Sequence, residues 1–134
     1  PFRMPDQFPI KSSRALRGSL VAREQGLEDA YLDAIFRAYW EDNDPSIADY
    51  PGLRPIVRDI GMDPARFEAE CESTSIRKAL ESSTNHALAA GIFGAPTFVI
   101  EGEAYWGKDR FEFIEAHLAG KPALPPRSNA ADNG

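Results

Sequence analysis

The segment running from Thr97 to Trp106 constrains this chain more than any other. Thr97-Phe98-Val99-Ile100 and Glu103-Ala104-Tyr105-Trp106 are dense in β-branched and aromatic residues, and Glu101-Gly102 between them supplies a tight turn. The stretch reads as a β-hairpin. A two-stranded ribbon is marginal by itself and gains stability as part of a sheet of three or more strands or against a helix. The upstream sequence offers no good strand to extend it. The remaining strands are therefore expected from another chain or from residues preceding Pro1. A start at Pro1 rather than Met, running straight into Pro-Phe-Arg-Met-Pro-Asp, reads as the middle of a longer polypeptide.

Everything before the hairpin reads as helix or connector. Pro1 to Ile10 holds three prolines and no helical period, so an extended lead-in is expected. Ser12 or Ser13 can cap a first helix with Leu16, Leu20 and Arg23 spaced along it and Gly26 as its stop. From Leu27 to Trp40 the positions Tyr31, Ala34, Ile35 and Ala38 trace one apolar face, the clearest amphipathic helix in the chain. Leu53, Ile56, Val57 and Ile60 predict a third helix, with Pro55 confined to its first turn. Asp63-Pro64 is a cap followed by a proline at the first helical position, opening a short helix in which Phe67 and Cys71 share a face. Ser73 or Thr74 caps a fifth helix whose Ile76, Leu80, Ala87 and Leu88 point inward until Gly91. After the hairpin, Asp109-Arg110-Phe111-Glu112 has the spacing of a capping box for a last helix with Phe113, Ile114 and Leu118. The stretch 120–134, rich in Pro, Ala, Asn and Gly, is expected to be disordered.

Composition removes several functional classes. With 15 Lys and Arg against 21 Asp and Glu, a net charge of −6 and scattered basic residues, no nucleic-acid partner and no anionic membrane surface is expected. The longest weakly apolar stretch, Ala87 to Pro96, is too short to span a bilayer, and no signal peptide is visible. One cysteine makes neither an internal disulfide nor a C-x-x-C pair, and a reducing, cytoplasmic setting fits best. Cys71 reads as a buried small hydrophobe, and His86 and His117 lack partners at metal-ligand spacing. Glu41 to Asp44 reads as a solvated turn.

Gly91-Ile92-Phe93-Gly94-Ala95-Pro96-Thr97-Phe98-Val99-Ile100, with Tyr105-Trp106-Gly107-Lys108-Asp109-Arg110-Phe111, resembles the 2-hydroxychromene-2-carboxylate isomerase family. That family is related to kappa-class glutathione transferases and DsbA-like proteins. Upstream, Pro1-Phe2-Arg3-Met4-Pro5, Phe8-Pro9 and Arg14-Ala15-Leu16-Arg17-Gly18 resemble its helical insertion, with Lys11 standing where the family commonly has asparagine. The resemblance implies an α/β, thioredoxin-like fold with a helical insertion, here lacking the N-terminal βαβ unit. The expected organisation is a helical insertion over 1–91, a C-terminal ββα over 92–119 and a tail over 120–134. It also favours a cis peptide bond at Ala95-Pro96 over the trans proline that would begin an ordinary edge strand.

The cofactor implied is glutathione, and Ala95, Pro96, Lys108 and Asp109 are the positions that match the family's contacts to it. Their chemistry suits the tripeptide, which carries two carboxylates, one ammonium and a thiol. Amides at a helix N-terminus and Lys108 serve an anion, Asp109 accepts an ammonium, and the backbone of Ala95 can pair with the cysteine moiety as a short ladder. Asp109 also reads as an ordinary N-cap, Lys108 as a solvated lysine, and Trp106 as hairpin packing rather than a substrate wall.

The function implied is glutathione-dependent cis-trans isomerisation of a small aromatic unsaturated pyruvate by reversible thiol addition, in aromatic degradation. The family's thiol-polarising serine lies outside these residues, so no catalytic residue is assigned and the chain by itself is expected to be inactive. Two other readings stand beside it. One is a non-catalytic fragment or binding module whose sheet is completed by another chain, a homodimer included. The other is a DsbA-type thiol-disulfide oxidoreductase, if residues before Pro1 carry C-x-x-C.

Overall fold

A computed structural model describes residues 2–121, which fall into two compact units that divide between His86 and Ala87. The first unit contains helices α1 (Ser13–Glu24), α2 (Glu28–Trp40), α3 (Tyr50–Asp59) and α4 (Pro64–Glu72), with a short 3-10 helix at Pro45–Ala48. Helix α5 (Thr74–Ala89) begins in this unit and ends in the second. The second unit continues with strands β1 (Thr97–Ile100) and β2 (Glu103–Trp106) and helix α6 (Phe111–Leu118). No helix among the described residues is long and apolar enough to cross a membrane.

The core of the helical unit is built on close approach. Helix α1 buries Ala15, Gly18, Val21 and Ala22, small residues that let α2 and α4 come near. A Cβ at Gly18 would fall on the Tyr31 phenol and lie 2.7 Å from the Phe67 ring. Tyr31, Leu53, Val57, Phe67 and Cys71 are fully buried around it, each large apolar side chain contributing about 1.5–3 kcal/mol by leaving water. The larger Leu16 of α1 is instead half exposed. Arg17 is buried too. Its guanidinium donates to Glu72 at 2.7 Å, and Glu72 also accepts from the Tyr50 hydroxyl and pairs with Arg77. A buried charge needs such partners.

The start signals act as the sequence predicts at α4 and α5. Asp63 accepts the Arg66 N–H at 2.6 Å to cap α4, and Ser73 accepts the Ile76 N–H at 3.3 Å at the head of α5. Ser12 occupies the cap position of α1, but its side chain makes no cap bond. The structure corrects two expectations here. Helix α3 begins at Tyr50, with the extended Asp49 at the cap position and Pro51 in the first turn, so Pro55 sits inside the helix rather than at its start. Leu88 is 61% exposed, not inward. Among the described residues the lead-in has no helix or strand, as expected, and it is anchored to the helical unit. Arg3 donates its N–H to the Trp40 carbonyl, Tyr39 donates to the Gln7 carbonyl at 2.8 Å, and Phe2 and Phe8 flank the Trp40 ring. Its Phe8-Pro9 bond is cis.

In the second unit the hairpin is antiparallel, in the register Thr97↔Trp106, Phe98↔Tyr105, Val99↔Ala104 and Ile100↔Glu103. Glu101 (φ 51°) and Gly102 (φ 89°) both take the left-handed conformation that two-residue hairpin turns require. Helix α6 covers the face carrying Phe98 and Tyr105. Phe111 lies 5.4 Å from the Phe98 ring, and the Tyr105 hydroxyl meets His117 Nδ1 at 2.6 Å. The opposite face leaves Val99 and Trp106 more than half exposed. Among the described residues the sheet has these two strands. Gly120 (φ 67°) and Lys121 close α6, donating to the carbonyls of His117 and Ala116. The rest of the expected tail, from residue 122, lies outside the described residues.

Candidate functional site

The site is assembled where α5 gives way to β1. Gly91 (φ 76°) stops the helix, and the Ile92 N–H returns to the Ala87 carbonyl at 2.9 Å. The chain then turns through Gly94-Ala95-Pro96. Gly94 is required by close approach, because a Cβ there would fall on the Trp106 indole nitrogen. The Thr97 hydroxyl donates to the Gly94 carbonyl at 2.6 Å, tightening the loop, and the Ala95-Pro96 bond is cis as expected.

One further hydrogen bond brings the separated motifs together. The Gly107 N–H donates to the Pro96 carbonyl at 2.9 Å, a rung beyond the Thr97↔Trp106 pair. Ala95-Pro96 and Gly107-Lys108-Asp109 therefore sit side by side at one end of the hairpin. Ala95 is exposed and makes no backbone hydrogen bond with another described residue. Lys108 and Asp109 are exposed as well.

The capping box expected at Asp109 is not formed. The chain enters α6 through a 3-10 helix at Lys108–Arg110, and neither this turn nor α6 has a side-chain cap. Gly107, at φ 91°, turns the backbone so that Asp109 lies inside the 3-10 turn instead of preceding the helix. The Asp109 carboxylate is thus not spent on the fold. The arrangement offers an exposed donor and acceptor from the Ala95 backbone, one cation and one anion at a single edge. Chemically it is complementary to a small zwitterion with a peptide-like backbone.

Residues elsewhere are chemically quiet or structurally engaged. Cys71 is fully buried, and burial pushes its thiol up to about 12, so it is a neutral packing group. Burial also raises Tyr31 and Tyr50 above the usual phenol range. Beyond its Tyr105 contact, His117 reaches Glu101 at 3.2 Å through Nε2, tying α6 to the hairpin turn. Sequence reasoning missed this link and the Arg17–Glu72–Tyr50 cluster. Their members are 12 to 55 residues apart along the chain, with no local pattern to announce them.

A family model described as a DSBA-like thioredoxin domain matches residues 1–119. The chain belongs to the DsbA-like thioredoxin domain family. It is 27% identical over 124 residues to a 2-hydroxychromene-2-carboxylate isomerase of Pseudomonas sp. (strain C18), covering 90% of this chain and 58% of that protein. A second protein of that name, from Sphingobium xenophagum, is 31% identical over 104 residues, covering 75% of this chain and 51% of the relative. The solved structure of a 2-hydroxychromene-2-carboxylate isomerase superposes with a TM-score of 0.73 at 25% identity, covering 90% of this chain and 58% of that one. This DsbA-like chain thus spans between half and three fifths of the length of these curated relatives.

Proposed function

We propose that this chain contributes the glutathione-contacting hairpin and the helical unit of a glutathione-dependent isomerase of the 2-hydroxychromene-2-carboxylate type. The observation that carries this reading is the Pro96–Gly107 hydrogen bond, which sets Ala95, Lys108 and Asp109 around one edge. The residues fit the tripeptide. The Ala95 N–H and C=O can pair with its backbone, Lys108 can face a carboxylate, and the uncommitted Asp109 carboxylate can accept the ammonium.

When bound, glutathione supplies a thiol for reversible addition to the conjugated double bond of an aromatic unsaturated pyruvate, and rotation about the resulting single bond interconverts the isomers. The part played by these 134 residues is to hold and orient the tripeptide. No group among the described residues is assigned to polarise its sulfur, so the chain alone is inactive in this reading, and its setting is the reducing cytoplasm. Two measurements on the 134-residue chain test it. Titrating glutathione should shift the amide resonances of Ala95, Gly107, Lys108 and Asp109, and a silent set of these resonances at millimolar glutathione overturns the assignment. Glutathione-dependent turnover of a hydroxybenzylidenepyruvate by the purified chain would sink the claim that activity needs more than these residues.

The exposed Val99 and Trp106 favour a second reading, a binding module whose sheet is completed by another chain, including a second copy. Sedimentation of the purified chain decides it. A concentration-dependent dimer that Val99→Lys abolishes supports this reading, and a monomer at all concentrations removes the homodimer.

A further inference from the structure

The helical unit contains a pocket that the isomerase reading does not use. It lies between α1 and α2, has a volume of about 270 Å³, and is walled by Leu16, Leu32, Ile35, Phe36 and Trp40. None of its lining residues carries a charge. Leu16 and Phe36 at its rim are 49% and 58% exposed, so the pocket is open to solvent.

The hydroxyls around it define what it can accept. Ser19 donates to the Leu16 carbonyl at 2.8 Å, Tyr31 to Ala15 at 3.0 Å and Tyr39 to Gln7 at 2.8 Å, so all three protons are committed within the fold. The Ser12 hydroxyl, which caps nothing, remains as a donor in an otherwise almost wholly apolar wall. An ionised ligand finds no counter-charge here, and desolvating it costs far more than desolvating a neutral one. A cavity of roughly 150 Å³ lined by Leu, Ile and Phe stays dry and takes benzene, so this larger one has room for a second fused ring.

We propose that this pocket binds a small neutral aromatic molecule of one or two rings that carries a single hydroxyl or carbonyl, its oxygen turned towards Ser12. The site rests on the helical unit alone and is independent of glutathione.

The test uses the full chain with 2-naphthol as probe and 2-naphthoate as its charged counterpart. Titration of 2-naphthol should shift the amides of Ser12, Ser19, Ile35, Phe36 and Trp40 saturably, with an affinity at least tenfold above that of 2-naphthoate. In a Trp106→Phe background the same titration should change Trp40 fluorescence. Ser19→Leu, which fills the pocket, should lower 2-naphthol affinity at least tenfold. Ser12→Ala, at an exposed position without a cap bond, should weaken it severalfold with the fold intact. If Ser19→Leu does not fold, the shift map and the neutral-to-charged ratio of the unmodified chain decide. Equal affinities for the two probes, shifts confined to other residues, or no saturable shift overturns the proposal. So does the appearance of the same shifts on concentrating the protein alone, which would make a second copy the occupant.

Discussion

Asp109 shows how a single side chain can be separated from its bland role. The sequence spacing makes it a helix cap, and the 3-10 turn at Lys108–Arg110 removes that role. Asp109→Asn should therefore leave the melting temperature unchanged, and so should Asp109→Ala, which deletes any capping oxygen. If the carboxylate meets the ammonium of glutathione, both substitutions should weaken binding by about 1.5–3 kcal/mol, the range for a hydrogen bond to a charged group. Calorimetric titration beside a thermal melt measures the two effects separately. Cys71 makes a prediction of another kind. Burial raises its thiol from an ordinary 9.0 to about 12, so the folded state favours the protonated form. That contribution is complete below pH 9.0 and is lost as the pH rises through about 12. In an alkaline titration, the 240 nm absorbance of the unmodified chain minus that of Cys71→Ala, a difference that cancels the tyrosinates common to both, should accordingly rise together with loss of helix.

At the scale of elements, helices and hairpin were legible because their signals are local. Asp63-Pro64 begins α4, Gly91 follows α5, and Glu101-Gly102 divides the two strands as read. What escaped the sequence depends on residues far apart. The lead-in reads as extended, but its anchoring shows only when Trp40 and Asn43 are placed beside it, Asn43 accepting the Asp6 N–H at 2.8 Å. Helix α1 misleads in a different way, since its leucines suggest a face while its small residues form the buried one. In the candidate site, the two-residue turn at Glu101-Gly102 pairs Thr97 with Trp106 and so brings 95–96 beside 107–109 as read, whereas the 3-10 turn that takes Asp109 out of the cap position could not be read. Gly18 offers a direct test of the α1 packing. Alanine is a better helix former by about 1 kcal/mol, yet its Cβ would collide with Tyr31 and Phe67. Overpacking of this kind costs about 1–3 kcal/mol. Gly18→Ala should consequently lower the urea midpoint despite its propensity. A raised midpoint would show that α1 can shift at little cost.

Over the whole molecule, burial is unevenly shared. Among the described residues of the second unit, Ile114 is the one buried apolar side chain, whereas the helical unit holds the rest of the core. Local stability follows buried contacts, so the amides of α1 to α4 should exchange with deuterium far more slowly than those of β1, β2 and α6. Peptide-level exchange measured by mass spectrometry checks this, and uniform protection across both units contradicts it. Glutathione should slow exchange selectively around residues 95–96 and 107–109 if the proposed site is correct. The sealed cysteine has a practical corollary. These 134 residues carry one sulfhydryl, and the fold shuts it away from solvent. In a mixture of native chain and a small-molecule thiol, a chromogenic disulfide reagent should count the small molecule alone. Consumption of that thiol can then be followed optically in real time, without a cysteine-free variant as its blank.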